Sequence, residues 1–193
     1  MITLGIDEVG RGCWAGPLVA GAVILSESIG GLTDSKLLSA GQRSRLAGEV
    51  HASARAVGLG WVSAAEIDGL GLTAAVALAM ERAVAEALAS GAGVTVDEII
   101  IDGSYNFLPD DRRARTLVKA DLTVPAVSAA SIIAKVARDE WMAEAAARFP
   151  AYGFERHVGY GTQQHRAALV EHGICELHRK SYKPIRQILL HYA

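Results

Sequence analysis

The chain has 193 residues, 51% of them hydrophobic, and a formal net charge of −2, which suits one domain with a substantial core, or one domain with a C-terminal extension. It holds no run of eighteen apolar residues and no basic region before an N-terminal apolar stretch, and its two cysteines, Cys13 and Cys175, are too few for a disulfide framework and stand in no paired zinc spacing; no membrane span, no secretion signal and a reducing cytoplasm are expected. Charge is uneven: residues 1–111 carry 6 Lys/Arg and 14 Asp/Glu, whereas residues 112–193 carry 13 and 7, with clusters at Arg112, Arg113, Arg115, Lys119 and at Arg179, Lys180, Lys183, Arg186, so the second half offers phosphate contacts, although ordinary solvated surfaces show such asymmetry as often.

In chain order, residues 2–6 form a short apolar strand closed by Asp7 and Glu8, and Gly10-Arg11-Gly12 follows at once. Side chains alternate faces along a regular strand, so the acid pair is expected where the strand bends. After the turn 10–16, Pro17 opens a buried strand over 18–25, suggesting a hairpin. Asp34-Ser35-Lys36 leads to Ser39, an N-cap for a helix over 40–53, and residues 54–62 read as a third strand. Thr73 is expected to cap a helix with Val76, Met80, Ala83 and Ala87 on its apolar face, stopped at Gly91.

Residues 96–101 then form a strand ending at Asp102-Gly103, and 116–118 a shorter one before Lys119 and Asp121. Ser128 is expected to cap a long helix to Phe149, ended by Pro150. Beyond Ala151 the chain turns polar and glycine-rich, with a helix from Thr162 and an amphipathic stretch from Pro184. The order is α/β with an antiparallel start. Gly10-x-Gly12 does not open a dinucleotide site, because Pro17 and a β-branched run stand where a phosphate-binding helix should begin.

Asp7, Glu8, Asp102 and Asp121 all stand at or just beyond predicted strand ends. Oxygen ligands of this kind suit a hard cation, Mg²⁺ or Mn²⁺. Two such ions about 4 Å apart would bracket a phosphodiester, one activating water and the other stabilising the leaving 3′ oxygen. Taken singly, each acid reads more readily as a solvated turn residue or helix cap; recurrence at strand ends weakens that reading and favours the metal.

The motifs of the chain closely resemble those of the type 2 ribonucleases H, the ribonuclease HII family, from Ile6 to about Pro184. The likeness rests on Gly5-Ile6-Asp7-Glu8-Val9-Gly10-Arg11-Gly12, Ala15-Gly16-Pro17-Leu18-Val19, Asp34-Ser35-Lys36, Ile101-Asp102-Gly103, Lys119-Ala120-Asp121, the helix Val127 to Asp139, Tyr152-Gly153-Phe154, and His157-x-Gly159-Tyr160-Gly161-Thr162 with His165. It implies a ribonuclease H-like fold, a mixed five-stranded sheet flanked by helices, with a catalytic core over 1–150 and a C-terminal helical extension over 151–193 acting as a substrate clamp in one compact unit. It also implies an endonuclease that cuts the RNA strand of an RNA–DNA hybrid, or 5′ of a ribonucleotide in duplex DNA, leaving 3′-hydroxyl and 5′-phosphate ends.

By position, Asp7, Glu8, Asp102 and Asp121 would be the metal-binding catalytic acids, and Gly10, Arg11 and Gly12 would read the 2′-hydroxyl, the group that separates RNA from DNA. Tyr160 would stack on the sugar after the ribonucleotide, and Lys36 and Lys135 would contact substrate. Three positions depart from the family pattern: Ala120 for glycine, Val158 for lysine and Gly161 for proline. They suggest lost backbone freedom before Asp121, a lost phosphate contact and a looser Tyr160 turn.

Asp139 is a candidate to support the metal site from behind, with pairing to Arg138, Lys135 or solvent as the alternative. His157 and His165 read as surface or structural histidines before phosphate ligands, and Cys175-x-x-His178 is too isolated for zinc. Gln187-Ile188-Leu189-Leu190 lacks the closing aromatic of a sliding-clamp peptide and reads as an amphipathic end helix. A monomer is expected. The rivals are a non-catalytic nucleic-acid binder of the same fold and a metal-dependent small-molecule phosphohydrolase.

Overall fold

The computed structural model describes residues 1–91 and 93–192, side chains 191 and 192 excepted. Its elements are β1 (Thr3–Val9), β2 (Leu18–Ile24), α1 (Ala40–Ser53), β3 (Ala56–Val62), α2 (Ala64–Leu70), α3 (Leu72–Ser90), β4 (Glu98–Asp102), β5 (Ala114–Leu117), α4 (Ala120–Thr123), α5 (Pro125–Arg148), α6 (Phe154–His157), α7 (Gln163–His172) and α8 (Lys183–Tyr192). The five strands form one mixed sheet in the order β3-β2-β1-β4-β5. β1 pairs antiparallel with β2, and β2 with β3, while β1–β4 and β4–β5 are parallel. The expected hairpin and five-stranded mixed sheet are both present.

The two faces of the sheet are separated by alternation along the strands. Leu4, Ile6, Leu18, Ala20, Ala22 and Ile24 pack with Val76, Ala79, Met80 and Ala83 of α3. Glycines on the opposite face let α5 descend onto the backbone: a Cβ at Gly5 would lie 2.3 Å from the Ala126 carbonyl carbon, and one at Gly21 2.3 Å from the Ala130 oxygen. Val23 joins α1 and α5 on that side through Leu46, Val50, Ile132 and Ile133. Burying branched side chains of this kind is worth about 1.5–3 kcal/mol each.

Several element ends differ from the expectation. β1 runs unbroken through both acids, with Asp7 opposite Gly21 and Glu8 opposite Ala20, so no bend presents the pair. α5 starts at Pro125, whose missing N–H costs nothing in a first turn, and Ser128 lies inside the helix, its hydroxyl donating to the Asp121 carbonyl at 2.6 Å. α3 begins after Gly71 (φ 80°), so Thr73 is not its cap. α2 is an additional short helix, opened by a Ser63–Glu66 capping box. The Ser39 cap, the Gly91 stop and the helix opening at Thr162 match the expectation.

The segment beyond Ala151 is less polar inside than its composition suggests. Tyr152, Phe154, Leu169, Leu177 and Ile185 enclose a second core with Trp14, Ala15 and Met142. His157, His165 and His178 are buried in it as well. No helix among the described residues is long and apolar enough to cross a membrane. Both cysteines are free thiols.

Candidate active site

Parallel pairing of β1 with β4 aligns Ile6 with Ile101, which sets Asp7 and Asp102 side by side where the two strands end. Alternation sends Asp7 to the α5 face and Glu8 to the α3 face. Asp102 meets both: its negative charge raises the pKa of Asp7, of Glu8 and of Asp121. Asp7 is buried, and burial first, then the neighbouring Glu8 charge, push its carboxyl up to about 7. The Ser131 hydroxyl and the Glu8 N–H, 2.8 Å from Asp7 Oδ1, pull the other way. Burial also raises Glu8, against the Arg11 guanidinium 3.0 Å away.

Asp121 comes from the opening turn of α4, just after Lys119 in the left-handed region (φ 59°), and burial, Asp102 and Asp34 raise its pKa. Asp102 Oδ1 accepts the Ala120 N–H at 2.7 Å, joining the end of β4 to the start of α4. The Asp34-Ser35-Lys36 turn reaches the same place. Its Ser35 hydroxyl lies 3.0 Å from that of Ser131 on α5, and Lys36, highly exposed and 3.9 Å from Asp34, acts on Asp121 through space. The four acids and Lys36 are thus brought together from four separate stretches of sequence.

Carboxylates that raise one another's pKa need a counter-charge, and an all-oxygen set fits a hard divalent cation. Among the described residues no three His, Cys, Asp or Glu side chains already stand in a metal-holding group. The protein's own donors hold these side chains in their rotamers: Arg11 draws Glu8 and the Ala120 N–H draws Asp102. The donor chemistry fits the cation, which Asp7, Glu8, Asp102 and Asp121 would hold.

The Gly10-Arg11-Gly12 turn continues directly from β1, and Tyr160 closes against it. A Cβ at Gly12 would lie 3.9 Å from Tyr160 Cε1, and the phenol interacts with Cys13. Arg11 also lies 5.6 Å over the Phe107 ring. Lys135 pairs with Asp139 one turn along α5, and both act electrostatically on the Cys13–Tyr160 contact. Asp139 is therefore placed by Lys135 and the tyrosine loop rather than with the four acids.

The three departures sit in distinct local settings, and nothing in the structure explains valine at 158. Ala120 is helical and fully buried; the residue needing left-handed backbone is Lys119. Val158 is itself left-handed (φ 43°), an unusual state for a β-branched residue. Gly161 does not loosen its turn: a Cβ there would lie 2.2 Å from the Trp14 indole, so the ring fills the space a proline would need.

Sequence reasoning underrated several residues. Arg179, grouped with the phosphate-binding basics, is wholly buried, as is Arg138. His157 stacks on His165 at 4.5 Å, and His165 Nε2 lies 3.0 Å from His178 Nε2, while His178 Nδ1 accepts the Cys175 N–H. The Cys175–His178 spacing thus encodes a local backbone contact. An arginine at position 138 on the sheet-facing side of an alanine-rich helix was the one available signal.

Known proteins match the chain in sequence and in fold. The model of the family described as Ribonuclease HII matches residues 4–185. Ribonuclease HII of Halorhodospira halophila is 47% identical over 96% of this chain and 94% of its own, and that of Albidiferax ferrireducens is 47% identical over 97% and 89%. Ribonuclease H2 from Pyrococcus horikoshii superposes with a TM-score of 0.83 at 27% identity, covering 100% of this chain and 99% of that one. Ribonuclease HII of Archaeoglobus fulgidus, solved in complex with PCNA, gives 0.75 at 27% identity over 95% and 96%. Bst-RNase HIII, solved with Mn²⁺, shares the fold at 22% identity and a TM-score of 0.78, over 98% of this chain and 70% of that one. An α/β sheet of ribonuclease H type, three acids linked to a fourth, Asp102, beside its parallel strands, and a family match across nearly the whole length lead to one assignment: the chain belongs to the ribonuclease HII family.

Proposed function

We propose that this ribonuclease HII-family endonuclease hydrolyses the RNA strand of RNA–DNA hybrids and cuts 5′ of single ribonucleotides in duplex DNA, a step in removing ribonucleotides from DNA. The observation that carries the proposal is the coupling of Asp7, Glu8 and Asp121 through Asp102, next to a glycine turn closed by Tyr160. Two divalent cations, Mg²⁺ or Mn²⁺, held by Asp7, Glu8, Asp102 and Asp121, supply charge stabilisation and an activated water for in-line phosphodiester hydrolysis.

The chain's own residues do the selecting. Backbone of Gly10, Arg11 and Gly12 approaches the ribose closely and reads its 2′-hydroxyl. Tyr160 stacks on the sugar that follows, and Lys36 and Lys135 contact phosphate. On this reading residues 151–193 are the clamp that carries Tyr160, a role supported by the second apolar cluster, which joins Tyr152, Phe154 and Leu169 to Trp14 and Met142. Phosphate contacts of this kind make binding salt-sensitive.

The enzyme works as a cytoplasmic monomer on this reading. Sliding-clamp docking through residues 187–190 gains little support: Ile188 and Leu189 pack on the second core, leaving Leu190 exposed. The test is incubation with a duplex carrying one ribonucleotide, with Mg²⁺, with Mn²⁺ or with chelator. A single metal-dependent cut leaving a 3′-hydroxyl on the upstream fragment is expected. Binding without cleavage in every condition, or hydrolysis of small phosphoesters alone, overturns the proposal.

A further inference from the structure

Arg138 and Arg179 are the largest side chains wholly withdrawn from water. Charged groups so deeply buried are ordinarily paired with acids. Among the described residues these two bind backbone carbonyls and one tyrosine hydroxyl instead. Arg138 donates to Pro17 O at 2.8 Å, Ala15 O at 3.2 Å and Val158 O at 2.9 Å. Arg179 donates to Gly10 O at 2.7 Å, Arg11 O at 3.2 Å and, from two nitrogens, to Gly16 O. The Tyr182 hydroxyl accepts from Arg179 and donates to Arg11 O. Gly10 has no room for a side chain, because a Cβ there would lie 2.4 Å from Arg138 Nε.

A trans peptide is planar, with its carbonyl and its N–H on opposite sides. When the carbonyls of Gly10 and Arg11 are drawn inward to Arg179, the N–H groups of Arg11 and Gly12 must face outward. Neither N–H has an acceptor among the described residues, although Cys13, one position on, gives its own to Gly10 O. Arg138 fixes the tyrosine loop in the same frame, since it holds Val158, two residues before Tyr160, together with Ala15 and Pro17.

We propose that Arg138 and Arg179 are positioning residues for ribose recognition: buried guanidinium forks that aim the Arg11 and Gly12 amides at the 2′-hydroxyl and hold Tyr160 in register with them. The proposal rests on the reading that this turn contacts the ribose. A lysine ammonium lacks the planar fork and cannot span Gly10 O and Gly16 O together.

The test compares wild type with Arg179→Lys, Arg138→Lys and the milder Tyr182→Phe. Three readouts are taken: NMR chemical shifts and order parameters of the Arg11 and Gly12 amides without metal, KM and kcat on a single-ribonucleotide duplex, and Kd for that duplex against its all-DNA counterpart. Arg179→Lys should raise KM roughly tenfold while kcat and the all-DNA Kd stay within about twofold, with shifted resonances and lower order parameters for both amides. Arg138→Lys should behave alike, and Tyr182→Phe should shift KM a few-fold and the amide order parameters in the same direction. Equal weakening of both duplexes, or unchanged amide resonances and order parameters in folded variants, overturns the proposal. If the lysine variants do not fold, Tyr182→Phe decides alone. If wild type shows no preference for the ribonucleotide duplex, the ribose reading fails, and the amide data still judge the positioning.

Discussion

The backbone N–H of Ala120 donates to Asp102 Oδ1 at 2.7 Å, so the third acid of the cluster is oriented by the residue that precedes the fourth. The bond ties the end of β4 to the first turn of α4, and a movement of either acid is felt by the other. It uses only backbone from residue 120, so the methyl group there is irrelevant to it. Ala120→Gly is therefore expected to cost about 1–2 kcal/mol through helix propensity and a lost buried methyl, with kcat within about twofold of wild type. A tenfold gain in kcat would show that the alanine does displace Asp121.

Asp7 ties stability to pH. Folding raises its pKa from 3.8 to about 7, so between those values the unfolded chain has released a proton that the native state retains. Its contribution is complete below pH 3.8 and disappears as pH rises through 7. Asp7→Asn should abolish cleavage while leaving nucleic-acid binding largely intact. At pH 8 without metal it should be more stable than wild type, by on the order of a few kcal/mol, equivalent to roughly 2–4 °C in Tm per kcal/mol. Millimolar Mg²⁺ or Mn²⁺ should raise the wild-type Tm and have a smaller effect on the variant. Coincident melting curves of the two proteins from pH 4 to 8 would refute the linkage.

The opposite sign belongs to the buried histidines. His165 and His178 are pushed down to about 4, chiefly by burial, from an ordinary 6.5. Their stabilising contribution is present above pH 6.5 and lost as pH falls through 4, because the unfolded chain binds protons that the native state refuses. Geometry favours the neutral forms: His178 Nδ1 accepts an N–H from Cys175, and His165 Nδ1 faces the Tyr160 carbonyl, leaving one proton between the two Nε2 atoms. His178→Gln should flatten the acid limb of the Tm–pH profile between 6.5 and 4. An unaltered limb would assign it to other groups.

Trp14 and Gly161 form a complementary pair, with the indole occupying the volume a side chain would take. Gly161→Pro alone should destabilise by roughly 1–3 kcal/mol through overpacking, and Trp14→Leu in the same chain should recover much of that loss. Denaturant melts of the two single variants and the double variant give the coupling directly. Strict additivity would show that the ring moves aside freely.

Tyr160→Ala should leave the four-acid cluster intact, yet blur the cut position or slow cleavage at an RNA–DNA junction by about tenfold. Mapping products on a duplex with a short ribonucleotide run measures both. An unchanged pattern and rate would remove Tyr160 from recognition.

Much of this architecture was legible in the chain. Ser39 with Gln42 and Thr162 announced two helices by capping chemistry, which is local and survives any tertiary context. The acids stood out because carboxylates recurred beside predicted strand ends. What could not be read was long-range. The bend assumed at Asp7 and Glu8 proved needless, since Asp102 on a neighbouring strand meets acids from both faces, and register between strands 95 residues apart leaves no local trace. Arg179 looked like a solvated base because its acceptors, Gly10 and Gly16, lie more than 160 positions away. Ser128 resembled a cap and instead bonds the carbonyl of Asp121 from within a helix, a use that requires α4 already to be folded against it.

Gly5 and Gly21 take no part in any reaction, but their bare backbones allow α5 to rest on the sheet and carry Ser131 to Asp7 and Ser35. A single methyl at either place would lift that helix and draw the hydroxyl away from both. Mutational scans of this enzyme should therefore find intolerance at two silent positions that bear no side chain, and attribute lost turnover to a spacing held open by the absence of atoms.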